Sequence, residues 1–172
     1  MVKKYANLYL EARRNFMRQE DEQTASLLAR SLLCYVSGKT QEEIVAQREV
    51  YASEEVCNAM ETAVKRVLAG EPLAYVLGEW SFYGMTLYID ENVLIPRDDT
   101  CAVTQLAIKR GLYLDQDPRI LDLCTGSGCI GLAVANRVKD ARVTLADISK
   151  EALAVAKKNI QRHQMQSRVV AV

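Results

Sequence analysis

The stretch RILDLCTGSGCIG at residues 119–131 decides the fold of the second half of the chain. Residues 119–123 predict a short buried strand and residues 124–128 a tight glycine loop. Residues 129–138 predict a helix rich in Ala, Leu and Val. A strand, a glycine loop and a helix in this order are typical of the opening of a doubly wound α/β fold.

The residues that follow continue this alternation. Residues 142–146 predict a second strand that ends in Asp147, and Ser149 is the predicted cap of a helix that runs to about His163. Residues 168–172 predict the beginning of a third strand. Strands that alternate with helices favour a parallel sheet, so we expect an α/β, Rossmann-like arrangement here.

The first seventy residues predict helices only. Apolar side chains recur at helical spacing within residues 5–16, 25–36 and 56–67. Thr40 and Glu43 have the spacing of a capping box, and Ser53 is a second predicted cap. The Gly-Glu-Pro sequence at residues 70–72 stops the last helix. We therefore predict a helical domain over residues 1–70.

Residues 71–98 differ in character from the helical segment. They contain the β-forming residues Trp80, Phe82, Tyr83, Leu87, Tyr88 and Ile89. The polar residues 90–92 are a turn candidate before the apolar residues 93–95, so we predict a β-hairpin that links two domains. Residues 99–113 predict a helix and residues 115–118 a polar loop, and the second domain is predicted over residues 99–172.

Composition excludes several classes of protein. The 172 residues carry 22 basic and 22 acidic side chains, balanced in both halves, so a phosphate-binding surface for nucleic acid is not supported. The five cysteines include no Cys-x-x-Cys pair, so neither a disulfide framework nor a metal site is predicted. No apolar run reaches the ~18 residues of a membrane span, and the start does not resemble a signal peptide, so we expect a cytoplasmic location.

The glycine loop and two carboxylates point to a nucleoside-type cofactor. Backbone amides of a glycine loop can approach a ligand closely, and Asp147, 19 residues after Gly128, is placed to accept both hydroxyls of a ribose. The pattern Gly126-x-Gly128-x-x-Gly131 also matches the dinucleotide fingerprint, which keeps an NAD-dependent oxidoreductase open. Asp122 would repel a pyrophosphate but suits the ammonium group of S-adenosylmethionine, so we favour that cofactor. A structural glycine turn without a ligand is the other alternative.

Four segments together resemble the PrmC/HemK methyltransferases, which modify the amide nitrogen of a glutamine in peptide chain release factors. The loop ILDLCTGSGCI at residues 120–130 resembles the cofactor loop of that family. The other three segments are GEPLAYVLG at 70–78, WSFYG at 80–84 and VLIPRDDT at 93–100. The order of a helical domain, a hairpin and a Rossmann-like sheet also resembles the family, and the resemblance spans the whole chain.

The resemblance implies a cofactor, a partner and site residues. S-adenosylmethionine would bind Asp122, Cys124, Thr125, Gly126, Ser127, Gly128 and Asp147. The substrate pocket would include Phe82, Arg97 and Thr100, and the helical domain would recognise a release factor through the glutamine of its Gly-Gly-Gln motif. Asp98 and Cys101 depart from the family pattern.

The family's catalytic Asn-Pro-Pro-Tyr sequence is absent from these 172 residues, whose prolines are Pro72, Pro96 and Pro118. We therefore expect an N-terminal portion of such an enzyme, with no catalytic residue, no methyl transfer to glutamine of its own and weak or no binding of S-adenosylmethionine. The family's sheet would place a further strand beside residues 119–123, so we expect self-association through that unpaired edge. An amino-methyltransferase acting on nucleic acid and a non-catalytic binding module remain alternatives.

Three single residues have two interpretations each. His163 is expected to cap a helix end at the surface rather than act as a general base. Phe82 is expected in the core of the hairpin rather than against a ligand. Arg97 is equally compatible with a surface ion pair and with holding an oxygen in the substrate cleft.

Overall fold

The computed structural model describes residues 2–113 and 117–172, which form two compact units. The first unit ends at Leu77 and the second begins at Gly78. The hairpin therefore belongs to the second unit, whereas the sequence predicted a separate linker over residues 71–98. Residues 115 and 116 of the predicted polar loop lie outside the described residues.

The first unit is helical, as predicted. Its helices are α1 (Tyr5–Phe16), α2 (Glu22–Ser37), α3 (Gln41–Ala46), α4 (Glu54–Leu68) and α5 (Leu73–Leu77). Its core includes the buried side chains of Phe16, Leu32, Leu33, Met60 and Val64. These residues lie on the apolar faces of α1, α2 and α4, so the helical spacing in the sequence correctly identified the packed surfaces.

Side chains at the helix ends explain where these helices begin and stop. The Thr40 amide donates to the Glu43 carboxylate at 2.8 Å, and the Glu43 amide donates to the Thr40 hydroxyl at 3.2 Å. This is the predicted capping box. The Ser53 hydroxyl accepts from the Val56 amide at 3.3 Å and caps α4. Gly38 ends α2 with a φ of 63°, a conformation that glycine adopts without a steric penalty.

The second unit opens with an antiparallel hairpin whose turn differs from the prediction. Strand β1 (Glu79–Phe82) pairs with β2 (Met85–Tyr88). The hairpin turn is at Tyr83 and Gly84, with φ of 49° and 78°. Two consecutive positive φ values are typical of the two-residue hairpin turns that match strand twist. Residues 90–92 form a separate turn, in which the Val93 amide donates to the Asp90 carbonyl at 3.2 Å. Residues 93–95 form no strand.

The hairpin is followed by alternating helices and strands. They are α6 (Asp99–Leu112), β3 (Arg119–Leu123), α7 (Cys129–Arg137), β4 (Arg142–Ala146), α8 (Lys150–Arg162) and β5 (Val169–Ala171). The three strands form a parallel sheet in the order β3-β4-β5, which confirms the α/β arrangement expected from the sequence. The carboxyl ends of β3 and β4 therefore lie side by side at one edge of the sheet.

Strand β3 is not buried, in contrast to the prediction. Leu121 and Leu123 are 63% and 70% exposed, whereas Val143 and Leu145 on β4 are buried. The register aligns Leu121 with Thr144, on the face opposite Leu145. One face of the sheet is packed and the other is open among the described residues, and β3 is an edge strand. The apolar sequence of β3 therefore predicted a buried strand, although only one face of this strand is covered.

Candidate functional site

The site is built on the loop that joins β3 to α7. The Thr125 amide donates to the Ala146 carbonyl at 3.0 Å, which fixes the loop against the end of β4. The Gly128 amide donates to the Thr125 carbonyl at 2.9 Å and closes a tight turn. Gly126 and Gly128 have φ of 55° and 82°. A Cβ at Gly126 would meet no atom within 4 Å, so the backbone at this position faces open space.

Asp122 links β3, the loop and α7. Its Oδ2 atom accepts hydrogen bonds from the Thr125 hydroxyl at 2.7 Å and from the Gly131 amide at 2.9 Å. Its other carboxylate oxygen, Oδ1, receives no hydrogen bond from the described residues. The side chain therefore has a structural role through one oxygen and leaves the second available to a cationic ligand group.

Asp147 follows the end of β4 and holds the loop from the other side. Its Oδ2 accepts from the Gly126 amide at 2.9 Å, and its Oδ1 accepts from the Ser149 amide at 3.0 Å. The hydrogen bonds from the Ser149 and Gly126 amides lower the pKa of this carboxyl below its ordinary value. A carboxylate has about four lone-pair positions, so both oxygens can still accept from a diol.

Ser127 supplies a buried polar atom without a well-formed hydrogen bond. Its side chain is 2% exposed, and its hydroxyl has no hydrogen-bond partner among the described residues. The hydroxyl lies close enough to the Cys129 thiol to oppose the rise in that thiol's pKa, but burial dominates and raises it to about 11. The Cys129 thiol therefore stays protonated near neutral pH.

Asn159, on α8, was missed by the sequence analysis. It is fully buried, and its side-chain amide donates to the Ser127 carbonyl at 2.9 Å. A signal for it exists in the sequence. The buried residues of α8 are Ala152, Val155, Ala156, Asn159 and Ile160. A polar side chain at a core position of this helical pattern predicts a specific hydrogen-bonded role.

The predicted substrate-pocket residues occupy different environments. Arg97 is exposed and lines a shallow groove with Trp80 and Pro96. The Thr100 amide donates to the Arg97 carbonyl at 3.0 Å, so these two residues lie within one turn at the start of α6. Phe82 does not line this groove, and its side chain is 3% exposed. The pocket assignment stays a prediction.

The single histidine occupies a helix end, as the sequence favoured. His163 follows the last residue of α8, and its Nε2 lies 3.0 Å from the Thr86 carbonyl oxygen of β2. Nearby, the Arg162 guanidinium binds the Glu79 carboxylate at 2.6 Å. Both contacts join the hairpin to α8, so this region is structural.

Two further findings concern metal ions and membranes. Residues 2–113 and 117–172 contain no group of three or more His, Cys, Asp or Glu side chains placed to hold a metal ion. Over the same residues, no helix has the length and apolar character needed to cross a bilayer.

The fold and the loop define the class of the second unit. Residues 103–172 match the methyltransferase small domain, which agrees with a glycine loop between two strand-end carboxylates. This class uses S-adenosylmethionine. Residues 9–78 match the PrmC N-terminal domain. The two matches occur in the order expected for the PrmC/HemK family, so the resemblance seen in the sequence is confirmed.

Curated relatives are similar over most of the chain. A release factor glutamine methyltransferase of Chlorobaculum tepidum is 39% identical over 147 residues, 83% of this chain and 50% of the relative. That of Streptococcus pneumoniae is 35% identical over 95% of this chain and 57% of the relative. A ribosomal protein uL3 glutamine methyltransferase of Francisella tularensis is 44% identical over 63% of this chain and 35% of the relative. The chain thus spans about half the length of the curated relatives it matches.

Proposed function

We propose that this chain binds S-adenosylmethionine at the loop of residues 124–128, and that the whole protein transfers its methyl group to a glutamine amide nitrogen in a peptide chain release factor. The observation that supports this most is the position of Asp122 and Asp147. Asp122 lies near the end of β3 and Asp147 directly follows β4, and each accepts a hydrogen bond from the loop or its helix. The loop therefore lies between two carboxylates that both bind it through hydrogen bonds.

The residues present fit the cofactor. The free Oδ1 of Asp122 would accept from the ammonium group, and Asp147, kept ionised by its lowered pKa, would accept the ribose hydroxyls. The open space beside Gly126 would admit the ligand against the backbone. The buried Ser127 hydroxyl would gain the partner that it lacks. Cys124 and Thr125 complete the loop, and Gly128 allows its last turn.

The cofactor supplies an electrophilic methyl group, and the chain's own residues bind and orient it. The hydrogen bonds of Asp122 and Asp147 fix the conformation of the loop in the ligand-free chain. The loop therefore loses less conformational entropy when the cofactor binds. An NAD-type pyrophosphate fits less well, because the unpaired Oδ1 of Asp122 would add a negative charge beside the phosphates. The glycine loop alone therefore does not indicate a dinucleotide.

The substrate proposal depends on the relatives. Both kinds of relative are named as glutamine methyltransferases, for release factor or for ribosomal protein uL3. The release factor enzymes match 83% and 95% of this chain, and the uL3 enzyme matches 63%. We therefore favour a release factor, bound by the helical domain through its Gly-Gly-Gln segment. A cytoplasmic location, where release factors act on ribosomes, is part of this proposal.

Calorimetry with S-adenosylmethionine, S-adenosylhomocysteine and NAD tests the cofactor. We expect the two sulfur compounds to bind and NAD not to bind. Asp147→Ala should weaken binding by roughly 2–3 kcal/mol, because one charge-assisted, two-point contact is lost. Asp140→Ala, at an exposed residue in the turn before β4, is the matched control and should leave binding unchanged. Equal affinity for NAD, or no effect of Asp147→Ala, would contradict the assignment.

Nuclear magnetic resonance with unmodified release factor tests the partner. We expect amide signals within residues 9–78 to shift on addition of the release factor. A uL3 protein at the same concentration is the control for substrate choice. Shifts with uL3 and none with release factor would identify uL3 as the favoured substrate. Shifts with neither protein would contradict a recognition role of the helical domain.

A further inference from the structure

Asn159 makes three hydrogen bonds from a fully buried position on α8. Its Oδ1 accepts from the Tyr88 amide at 2.6 Å. Its Nδ2 donates to the Tyr88 carbonyl at 3.0 Å and to the Ser127 carbonyl at 2.9 Å. Both donor hydrogens and one acceptor position are therefore used by backbone groups, and no other side chain is involved. The side chain joins the end of β2 to the glycine loop.

The three bonds replace backbone pairing at a point where secondary structure cannot supply it. Tyr88 is the last residue of β2, and Ser127 lies in a loop with left-handed residues on both sides. A buried carbonyl without a donor costs free energy, and an asparagine can serve two carbonyls at once. An apolar residue at position 159 would leave both carbonyls without this donor.

The hairpin makes other contacts with α8. The loop makes no hydrogen bond to α8 among the described residues except the one from Asn159. Arg162 binds Glu79, His163 contacts the Thr86 carbonyl, and the Lys158 ammonium lies 4.1 Å from the centre of the Tyr88 ring. The other hydrogen bonds of the loop involve β3, the end of β4, Asp147, the first turn of α7 or the loop itself. Among the described residues, Asn159 therefore provides the contact from α8 to the loop.

We propose that Asn159 is a positioning residue that sets the conformation of the cofactor loop through the Ser127 carbonyl. Asp122, Asp147 and Asn159 then hold the loop from three elements, and the orientation of the Ser127 peptide determines where the neighbouring amides and the Ser127 hydroxyl face. This inference rests on the proposed cofactor site for its functional meaning. The contact itself does not depend on any ligand.

Hydrogen exchange in the ligand-free chain tests the contact separately from cofactor binding. In Asn159→Leu, we expect exchange at the Thr125, Gly126 and Gly128 amides to accelerate by about tenfold or more, because a bond to the loop is lost and local opening becomes easier. Arg162→Ala is the matched control. It removes a contact between α8 and the hairpin without touching the loop, so loop exchange should stay within about twofold of wild type.

Cofactor affinity supplies the second readout. Asn159→Leu should raise the dissociation constant of S-adenosylhomocysteine by about tenfold, while Arg162→Ala should leave it unchanged. If the wild-type chain binds no cofactor, the proposed function fails but the exchange comparison still decides the role of Asn159. Unchanged loop exchange in Asn159→Leu, or equal acceleration in Arg162→Ala, would overturn the inference.

A wild-type measurement covers the case in which Asn159→Leu does not fold. The side-chain amide protons of Asn159 should show slow exchange and nuclear Overhauser contacts with both Tyr88 and Ser127, because the group is buried and bonded to both. Contacts with both residues would support the proposal. A side-chain amide that exchanges rapidly or contacts only Tyr88 would overturn it.

Discussion

The amide of Gly131 on α7 donates to the Oδ2 atom of Asp122 on β3 at a distance of 2.9 Å. This contact requires the helix to approach the strand closely, and the absence of a side chain at Gly131 makes that approach possible. A Cβ built at this position would lie 3.0 Å from the same oxygen and 2.3 Å from Cδ2 of Leu145. The glycine therefore serves packing between helix and sheet.

Gly131→Ala should lower the free energy of unfolding by roughly 1–3 kcal/mol, because the added methyl group overpacks the interface of α7 with the sheet. Gly111→Ala is the control. It is also a helical glycine, but its Cβ would meet Val138 at 3.1 Å, a milder contact. Chemical denaturation measures both. A Gly131→Ala variant as stable as Gly111→Ala would contradict the packing role.

Cys124→Gly should raise the free energy of unfolding by about 1 kcal/mol, because Cys124 has a φ of 59° and a side chain disfavours that conformation. The pattern Asp-x-Cys-x-Gly-x-Gly at residues 122–128 resembles the methyltransferase form Asp-x-Gly-x-Gly-x-Gly, which has glycine at this position. Cys101→Gly, within the helix α6, is the control and should destabilise by about 1 kcal/mol. A lower free energy of unfolding in Cys124→Gly would contradict this prediction. It would mean that the Cys124 side chain stabilises the fold by more than the positive φ destabilises it.

The Asp147 carboxylate should make the loop sensitive to acid. Its pKa is lower in the folded chain than its ordinary value, so its contribution to stability is present above the unfolded pKa and is lost as the pH falls through the folded pKa. Exchange at the Gly126 amide should therefore accelerate below about pH 4, relative to the Leu145 amide in the same sheet. Asp147→Asn should remove this dependence. A loop with the same exchange profile in both proteins would contradict the linkage.

The open edge of the sheet should make the chain self-associate at high concentration. Leu121 and Leu123 are largely exposed on β3, and an unpaired apolar edge strand is a template for pairing. Replacing both leucines by lysine should shift light scattering toward a monomer. Leu94→Lys, at a residue that is also exposed but outside the sheet, is the control. A wild-type chain that is monodisperse and monomeric would refute this prediction.

Residues 1–172 alone should not methylate a release factor. No asparagine precedes a proline in this sequence, so the Asn-Pro-Pro-Tyr sequence that orients the amide nitrogen in the resembled family is absent. The measurement uses radiolabelled S-adenosylmethionine and unmodified release factor. A release factor methyltransferase that contains Asn-Pro-Pro-Tyr is the positive control. Label above the level without enzyme would mean that another group, near Phe82 or Arg97, orients the substrate.

Patterns that depend on local periodicity were readable from the sequence. The apolar spacing of α1, α2 and α4 matched the buried faces, and the caps at Thr40, Ser53 and Ser149 were identified because their hydrogen bonds connect residues a few positions apart. The α/β alternation followed from the same logic. Each of these features is decided by chemistry within a short segment.

Features that depend on long-range contacts were not readable. One local feature was also missed: the hairpin turn was predicted at residues 90–92 because polar residues are the usual signal, whereas the chain turns at Tyr83 and Gly84, both with a positive φ. The exposure of Leu121 depends on which elements cover the sheet. Asn159 contacts Tyr88 across 71 positions and Ser127 across 32, so its role emerges only after α8 is packed.

The order of the strands also has a consequence for how this unit is made. In the sheet β3-β4-β5, spatial neighbours are consecutive along the chain, and one helix separates each pair. Each of these three strands can therefore pair with the one before it as synthesis proceeds. The glycine loop closes on the carbonyl of Ala146 and the carboxylate of Asp147, so it can form once β4 has emerged. Its contact with Asn159 requires only one helix more.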